Sequence, residues 1–222
     1  MTSSDGPASG QDRPADLTDR LRTAYDAAAT TRDTRQVAAW KTSERQRVLD
    51  ALANEKVREL LEIGAGTGRD AAFFSEAGFE VFCVDISPVS VALCQEKGLD
   101  AAVMDFASLS FDDQRFDAVY ALNCLLHVPD DDLPCVLREI HRILRRQGLF
   151  YFGTYGGVDR QGIYEADTYR PRRFFSFRSE RTLRRLIHRW FEVVWFHTIE
   201  IPGEDSGLSF QSLLLRKSVE ER

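Results

Sequence analysis

The sequence predicts an α/β fold: a doubly wound, mostly parallel sheet of seven strands with an antiparallel strand pair at its C-terminal end. Three observations predict it. Strand-like and helical segments alternate between residues 57 and 154, a glycine-rich loop follows the first strand, and two more strands lie near the C-terminal end. Strands that alternate with helices form right-handed crossovers, which place helices on both faces of a parallel sheet.

Composition limits the kind of protein this is. The chain has 222 residues, of which 43% are hydrophobic, enough for one α/β core, and a net charge of -6, which argues against generic binding to nucleic acid or anionic lipid. The four cysteines show neither CxxC pairing nor zinc-ligand spacing. No apolar run approaches membrane-spanning length. We therefore expect a cytoplasmic protein without a metal, a membrane anchor or a nucleic-acid partner.

Two segments precede the predicted sheet. Residues 1–16 are rich in Ser, Gly, Pro and Asp and lack the basic start and apolar stretch of a secretion signal, so they predict a flexible tail. Residues 17–53 carry apolar side chains at helical spacing and predict two helices. With these helices, residues 17–222 form one predicted domain.

The first two strand-helix units are the most regular part of the pattern. A strand at 57–63 runs into the glycine loop at 64–68, and a helix follows at 69–77. A second strand at 79–86 leads into a helix at 87–98 that opens with Ser-Pro and closes with Lys-Gly. This order predicts two parallel strands with the glycine loop at the carboxyl end of the first.

The second half of the sheet is predicted from three strands and one helix. Strands are predicted at 100–106, 116–122 and 149–154. The helix at 130–147 has acids at its start and arginines at its end, which complement its dipole, and Gly148 follows it. These elements complete a five-stranded parallel core.

The C-terminal quarter changes character. Residues 155–171 form a loop rich in Gly and Tyr, and a basic helix is predicted near 179–190. Strands at 191–201 and 208–216 are separated by the turn-rich residues 202–207. Two strands joined by so short a turn are antiparallel.

The glycine loop indicates a ligand site, because open parallel sheets bind ligands beyond the carboxyl ends of their strands. Gly64, Gly66 and Gly68 remove side chains so that the backbone can approach a ligand. A dinucleotide fingerprint needs Gly or Ala three positions after the second glycine, where this chain has Arg69. Glu62 would repel a pyrophosphate and attract an ammonium group. The loop therefore favours a cationic ligand.

These residues resemble the class I S-adenosylmethionine-dependent methyltransferases, in particular their small-molecule branch. The resemblance implies a Rossmann-like fold, S-adenosylmethionine as cofactor, and in-line methyl transfer to a small-molecule acceptor. It implies that the 62–68 loop holds the methionine portion of the cofactor, that Asp85 binds the ribose hydroxyls, and that the carboxylate of Asp105 binds the amino group of adenine. The implied cofactor-binding residues are Glu62, Gly64, Ala65, Gly66, Gly68, Arg69, Asp85, Ile86, Asp105, Phe106, Leu122, Tyr25 and Trp40.

His127 is the candidate catalytic residue. Transfer from an activated sulfonium mainly requires positioning, so a base is optional. If the acceptor is a hydroxyl or a protonated amine, His127 follows the fourth strand and could remove the proton. The alternative, favoured for a histidine without an evident partner, is that His127 packs in its loop and bonds a backbone carbonyl.

Two segments are free to cover the carboxyl edge: residues 17–53 as a helical lid and 155–178 as an insertion near the acceptor pocket. Arginines concentrated at 170–189 leave open an RNA or protein methyltransferase, although a solvated helix face is the favoured explanation. A non-catalytic S-adenosylmethionine-binding module is a further alternative. The sequence favours a small-molecule methyltransferase, as a monomer or homodimer, and leaves the acceptor and the methylated atom open.

Overall fold

The computed structural model describes residues 14–34, 37–201 and 207–218. In chain order the elements are α1 (Pro14–Asp33), α2 (Ala39–Asn54), β1 (Glu59–Ile63), α3 (Arg69–Glu76), β2 (Glu80–Asp85), α4 (Pro88–Glu96), β3 (Asp100–Val103), β4 (Phe116–Leu122), a 3-10 turn (Leu125–His127), α5 (Leu133–Ile143), β5 (Leu144–Gly156), β6 (Arg160–Ile163), β7 (Phe174–Phe177), α6 (Glu180–Ile187), β8 (Phe191–Glu200) and β9 (Ser209–Lys217).

The main sheet has seven strands in the order β3-β2-β1-β4-β5-β9-β8. The first five pair in parallel, and β9 is antiparallel to both β5 and β8. The winding reverses between β1 and β4, which is where such sheets bind ligands. The predicted doubly wound sheet with its C-terminal antiparallel pair is confirmed.

Helices cover the sheet on two faces, each with its own hydrophobic core. Neighbouring residues of one strand point to opposite faces, so Leu60 packs in one core and Leu61 in the other. Val48 and Leu52 of α2 are almost fully buried in the core shared with α3 and α4. This two-sided burial explains why the central strands are continuous apolar runs.

The boundary between α5 and β5 differs from the prediction. The helix ends at Ile143 instead of residue 147, and β5 begins at Leu144. Leu144 is extended and pairs with Phe116, and the register shifts before Ala118 pairs with Leu149. Strand pairing thus overrides the helical propensity of Arg145 and its neighbours.

The predicted loop at 155–171 contains a strand. β6 pairs antiparallel with β7 in a separate two-stranded sheet. The β6 residues Arg160-Gln161-Gly162 have low strand propensity, so the sequence did not indicate it. β3 is also shorter than predicted and ends at Val103, which leaves Asp105 in the following loop.

The chain ends are only partly described. α1 begins at Pro14, three residues before the predicted start at 17, and residues 1–13 of the predicted tail lie outside the described residues. Most of the predicted turn at 202–207 lies outside them too. Within the described part of the chain, no helix combines the length and the hydropathy needed to span a bilayer.

Candidate functional site

A continuous cleft runs along the carboxyl edge of the sheet beneath α1. It has three adjoining parts: a cavity of about 480 Å³ beside Asp105, a narrow central cavity of about 50 Å³, and a cavity of about 500 Å³ beside Glu62. The central cavity shares Ile86 and Phe106 with the Asp105 cavity and Gly66 with the Glu62 cavity. An elongated ligand could therefore lie across all three.

The three loop glycines differ in what surrounds them, although all have positive φ, at 63°, 55° and 74°. A Cβ at position 64 would collide with the Cβ of Cys124, and one at position 68 would lie 2.7 Å from Leu99. At Gly66 none of the described atoms lies within 4 Å of such a Cβ. Gly64 and Gly68 thus allow packing within the chain, whereas Gly66 faces the open cleft.

Asp85 ties the glycine loop to β2. Its carboxylate accepts hydrogen bonds from the backbone N–H of Gly66, at 2.8 Å, and of Ser87, at 2.9 Å. Burial raises the pKa of Asp85, while these two N–H groups oppose the shift. The Ser87 hydroxyl also donates to Asp26 of α1 at 2.5 Å. The acid, the loop and α1 are therefore held together at the central cavity.

Two buried oxygen atoms beside the Glu62 cavity lack partners. Glu62 is only 4% exposed, and its Oε2 has no hydrogen-bond partner within the described residues. The Oδ1 of Asn123, at the end of β4, is in the same situation. Burial, reinforced by the charge of Asp70, raises the pKa of Glu62 well above its ordinary value. Two unpaired acceptors at one cavity fit a ligand group that donates several hydrogen bonds.

Asn123 was not among the predicted site residues. It adopts a positive φ of 54° and lines both the central and the Glu62 cavities. The available signal was its place directly after the fourth strand, at the edge where such sheets bind ligands.

Three arginines line the Glu62 cavity: the predicted Arg69, the unpredicted Arg32 of α1, and Arg45 of α2, which pairs with Asp70. Arg32 donates to the hydroxyl of Tyr169 at 3.0 Å and lies 5.0 Å from the centre of the Tyr25 ring. Nothing in the sequence distinguished Arg32 from other charged residues of an amphipathic helix. Together they give this end of the cleft positive charge beside its acid.

The other predicted cofactor residues also line the cleft. Ile86, Asp105 and Phe106 border the Asp105 cavity, and the carboxylate of Asp105 accepts from the N–H of Ala107 at 2.9 Å. Trp40 lines the opposite end, where its ring packs 4.9 Å from that of Phe210. The remaining ones are Ala65 at the Glu62 cavity, Leu122 at the central and Glu62 cavities, and Tyr25 at the central cavity.

His127 has partners at both ring nitrogens. Its Nδ1 lies 2.7 Å from the carbonyl oxygen of Phe174, and its Nε2 lies 2.8 Å from the hydroxyl of Tyr25. Arg173 donates to the same hydroxyl at 2.9 Å and bonds Asp167 through two nitrogens, at 3.0 and 2.8 Å. We call Tyr25, His127, Asp167 and Arg173 the Tyr25 cluster.

The protonation state of the cluster follows from burial and geometry. Burial lowers the pKa of His127 to about 3, so the ring is neutral at physiological pH. A carbonyl only accepts, so Nδ1 carries the hydrogen and donates to Phe174, and Nε2 accepts from Tyr25. The bond to the carbonyl of Phe174 is the one expected if His127 packs in its loop. The sequence did not indicate the second bond, which the hydroxyl of Tyr25 donates to Nε2.

The two predicted covering segments meet over the cleft. Arg173 of the 155–178 insertion contacts Tyr25 of α1, and Tyr169 contacts Arg32. Lys97 at the end of α4 adds a further tie by pairing with Asp33 and donating to the carbonyl of Thr67. Because α2 is packed into the sheet core, α1 is the part of residues 17–53 suited to act as a lid.

Two arginines of the segment 170–189, Arg173 and Arg178, are used within the chain. Arg178 is 1% exposed, pairs with Asp130, and donates to the carbonyls of Leu125 and Val128. Arg173 pairs with Asp167 inside the Tyr25 cluster. These contacts reduce the charge available for a macromolecular surface. Among the described residues, no group of three or more His, Cys, Asp or Glu side chains is placed to hold a metal ion.

Comparison with known proteins adds three findings. Residues 61–152 match the model of a family described as a methyltransferase domain. The chain is 23% identical over 170 residues to a malonyl-[acyl-carrier protein] O-methyltransferase of Pseudescherichia vulneris, covering 75% of this chain and 67% of that protein. It spans 37%, 67% and 48% of the lengths of the first three curated relatives that it matches.

Two solved structures share the fold. The first is Burkholderia thailandensis 1,6-didemethyltoxoflavin-N1-methyltransferase with its substrate and S-adenosylhomocysteine, with a TM-score of 0.72, 24% identity, and coverage of 97% of this chain and 93% of that one. The second is the [4+2]-cyclase SpnF, with a TM-score of 0.68, 18% identity, and coverage of 91% and 97%. Their low identities make these comparisons evidence for the fold.

Proposed function

We propose that this chain is a class I S-adenosylmethionine-dependent methyltransferase that transfers a methyl group from S-adenosylmethionine to a small-molecule acceptor. The observation that carries the proposal is the pair of unpartnered oxygens, Glu62 Oε2 and Asn123 Oδ1, beside the open face of Gly66. An amino acid ammonium group supplies the hydrogen bonds and the charge that these two acceptors lack.

The residues at the Glu62 end fit the methionine portion of that cofactor. Glu62 and Asn123 would accept hydrogen bonds from the ammonium group, and Arg32 and Arg69 would attract the carboxylate. Gly66 leaves room for the chain of the amino acid to pass close to the backbone. A cation beside Glu62 also favours the ionised form of this carboxyl group over the neutral form that burial favours.

The rest of the cleft fits the nucleoside portion. Asp85 uses its two oxygens to hold Gly66 and Ser87, and each oxygen keeps a further lone pair for a ribose hydroxyl. Ile86 and Phe106 supply apolar contact for adenine, and Asp105 an acceptor for its amino group. Leu122 borders the central cavity, where the two portions of the cofactor would join.

The cofactor supplies an electrophilic methyl group on a sulfonium, and the chain's task is to hold an acceptor in line with it and to exclude water. α1 and the 155–178 insertion meet over the central cavity and would exclude water there. The Tyr25 cluster lies on this side of the cleft, so we place the reacting atom of the acceptor beside it.

We assign a small-molecule acceptor on two grounds. The Burkholderia thailandensis structure named above holds the small molecule 1,6-didemethyltoxoflavin, and the Pseudescherichia vulneris relative is a malonyl-[acyl-carrier protein] O-methyltransferase. In addition, Arg173 and Arg178 of the 170–189 segment bond within the chain, which reduces the charge that an RNA or protein substrate could contact. A non-catalytic S-adenosylmethionine-binding module is the second candidate, because a cyclase shares this fold and fold alone does not fix activity.

The test combines binding and turnover. Calorimetry with S-adenosylhomocysteine should give saturable binding, and NAD should not compete. Incubation with S-adenosylmethionine and fractionated metabolite pools should then release S-adenosylhomocysteine. Binding without release from any fraction would favour the non-catalytic module, and salt-sensitive release that requires RNA or protein would favour the macromolecular alternative. Preference for NAD would reject the proposal altogether.

A further inference from the structure

We propose that Tyr25 is the catalytic residue that faces the acceptor, and that it passes the acceptor's proton to His127, which acts behind it as a positioning residue and proton store. The inference rests on the proposed methyl transfer and deepens it. It reverses the roles that the sequence suggests, in which His127 is the base and Tyr25 part of the lid.

The hydrogen bonds of His127 are the first reason. Both of its nitrogens are engaged, Nδ1 with the carbonyl of Phe174 and Nε2 with the hydroxyl of Tyr25. An acceptor that approached Nε2 directly would have to displace that hydroxyl. Both side chains line the central cavity, but His127 is only 7% exposed, whereas Tyr25 is half-buried.

The hydroxyl of Tyr25 has one position left for an acceptor. A phenol has one hydrogen to donate and two lone pairs. The hydrogen is donated to Nε2 of His127, and one lone pair receives Arg173. The second lone pair can receive one hydrogen bond from an O–H or N–H group of the acceptor. The relay therefore requires an acceptor whose nucleophilic atom carries a proton.

The proposed step balances as follows. A lone pair of the acceptor's O or N atom forms the new bond to the methyl carbon, and the carbon–sulfur bond breaks with its electron pair remaining on sulfur. The acceptor's proton moves to the oxygen of Tyr25, and the phenol proton of Tyr25 moves to Nε2 of His127. The products are the methylated acceptor, the neutral thioether and an imidazolium, which returns the proton to water when the lid opens.

The charges around the cluster support this order of events. Burial raises the pKa of Tyr25, and the charges of Arg173 and Arg32 oppose that shift by attracting the negative charge that develops on its oxygen. Asp167 holds Arg173 in place. The low pKa of His127, about 3, keeps its Nε2 lone pair available at every physiological pH. A base this weak accepts a proton only late in the step, when bond formation has made the acceptor's proton strongly acidic.

The direction of the Tyr25–His127 hydrogen bond can be measured without an acceptor. NMR of protein labelled with 15N-histidine and saturated with S-adenosylhomocysteine should show His127 with hydrogen on Nδ1 and a lone pair on Nε2, and this tautomer should persist in Tyr164→Phe. Tyr164 is the matched control because its ring packs on Phe175 and Phe177 of the same aromatic group, without a hydrogen bond to His127 among the described contacts. Hydrogen on Nε2 in the wild-type complex would overturn the relay.

Turnover separates the relay from direct catalysis by His127. With an acceptor-containing metabolite fraction, Tyr25→Phe should lower kcat by about 10²–10³-fold, the usual contribution of general base catalysis, and leave the KM for cofactor within about twofold. His127→Gln should lower kcat similarly, because an amide cannot take the proton, and Tyr164→Phe should not. If His127 were the direct base, Tyr25→Phe would free Nε2 and retain or raise kcat, which would overturn the inference.

Failure of the proposed function is distinguishable from failure of the relay. S-adenosylhomocysteine affinity is measured for the wild type and each variant. Absence of binding by the wild type rejects the methyltransferase assignment itself. Normal binding together with the wrong tautomer, or with unchanged kcat in Tyr25→Phe, rejects only the relay.

Discussion

The two sides of the cleft solve the problem of buried polar groups in opposite ways. At the Glu62 cavity, Glu62 Oε2 and Asn123 Oδ1 are buried and have no partner in the part of the chain that the structure describes. In the Tyr25 cluster, each nitrogen of His127 and of the Arg173 guanidinium has a partner. A buried polar atom without a partner costs about 1–3 kcal/mol, so the first side is complete only with a ligand. The second is preorganised, as groups that act on charge in a reaction must be.

The largest expected effect separates chain packing from ligand space within the glycine loop. Gly64→Ala should lower the free energy of unfolding by about 3 kcal/mol, because its Cβ collides with Cys124 and the positive φ adds strain. Gly66→Ala should lower the free energy of unfolding by only about 1 kcal/mol, because its Cβ meets no described atom and only the positive φ is unfavourable. Its Cβ would point into the open cleft, so the same substitution should weaken S-adenosylhomocysteine binding at least about tenfold. Urea unfolding and calorimetry measure the two effects. Equal losses of stability would show that both glycines serve packing alone.

The next effect tests the unpartnered side. Glu62→Gln should weaken S-adenosylhomocysteine binding by about 10- to 100-fold, because a charge-assisted hydrogen bond contributes roughly 1.5–3 kcal/mol. It should not lower stability, since burial disfavours the charge that it removes. Calorimetry in buffers of different ionisation enthalpy should also show that binding releases a proton from wild type and not from this variant. The exposed Glu76→Gln of α3 is the control, and an equal loss there would contradict the assignment.

The third effect is an opposite response of the two sides to acid. Burial lowers the pKa of His127 from 6.5 to about 3. Below pH 6.5 the unfolded state therefore binds a proton that the folded state does not, so the free energy of unfolding decreases as the pH is lowered. Between pH 7.5 and 5.0 this should cost the wild type about 2 kcal/mol more than His127→Gln. The raised pKa of Glu62 acts in the other direction, because its folded state holds the proton more tightly and loses that stability as pH rises.

Urea unfolding at the two pH values measures this difference. Identical pH dependence in wild type and His127→Gln would mean that the side chain of His127 reaches solvent.

The smallest effect is expected at Asp105. Its carboxylate accepts one hydrogen bond from the backbone and also borders an open cavity, so its hydrogen bonding is partly satisfied within the chain and partly left for a ligand. Asp105→Asn keeps an oxygen for the N–H of Ala107 and should weaken S-adenosylhomocysteine binding by less than about 1 kcal/mol. Asp105→Ala should weaken it by about 1–2 kcal/mol. Equal affinities for all three forms, measured by calorimetry, would place Asp105 outside the adenine contact.

Much of the candidate site could be predicted because it lies at strand ends. The glycine loop, Asp85 and Asp105 follow successive strands, and parallel strands bring their carboxyl ends to one edge. Every predicted site residue except Gly68, which packs against Leu99 and Cys94, lines the cleft, and their roles toward the cofactor remain proposals. Arg32 and Arg173 could not be predicted in this way, because a charged residue on an amphipathic helix or in a loop has no local signature of its partners.

The sequence by itself determined the order of helices and strands, the parallel core with its antiparallel pair, and the positions of the glycine loop and the acids that follow it. These depend on periodicity and turn residues, which act over a few positions. Tertiary structure decided that α5 ends and β5 begins at Leu144, because Leu144 pairs with Phe116 of β4. It also brought together the residues of the Tyr25 cluster. Tyr25 meets His127 across 102 positions and Arg173 across 148. Contacts over such separations leave no local pattern, so only the folded chain shows that the histidine's partner is a tyrosine of α1.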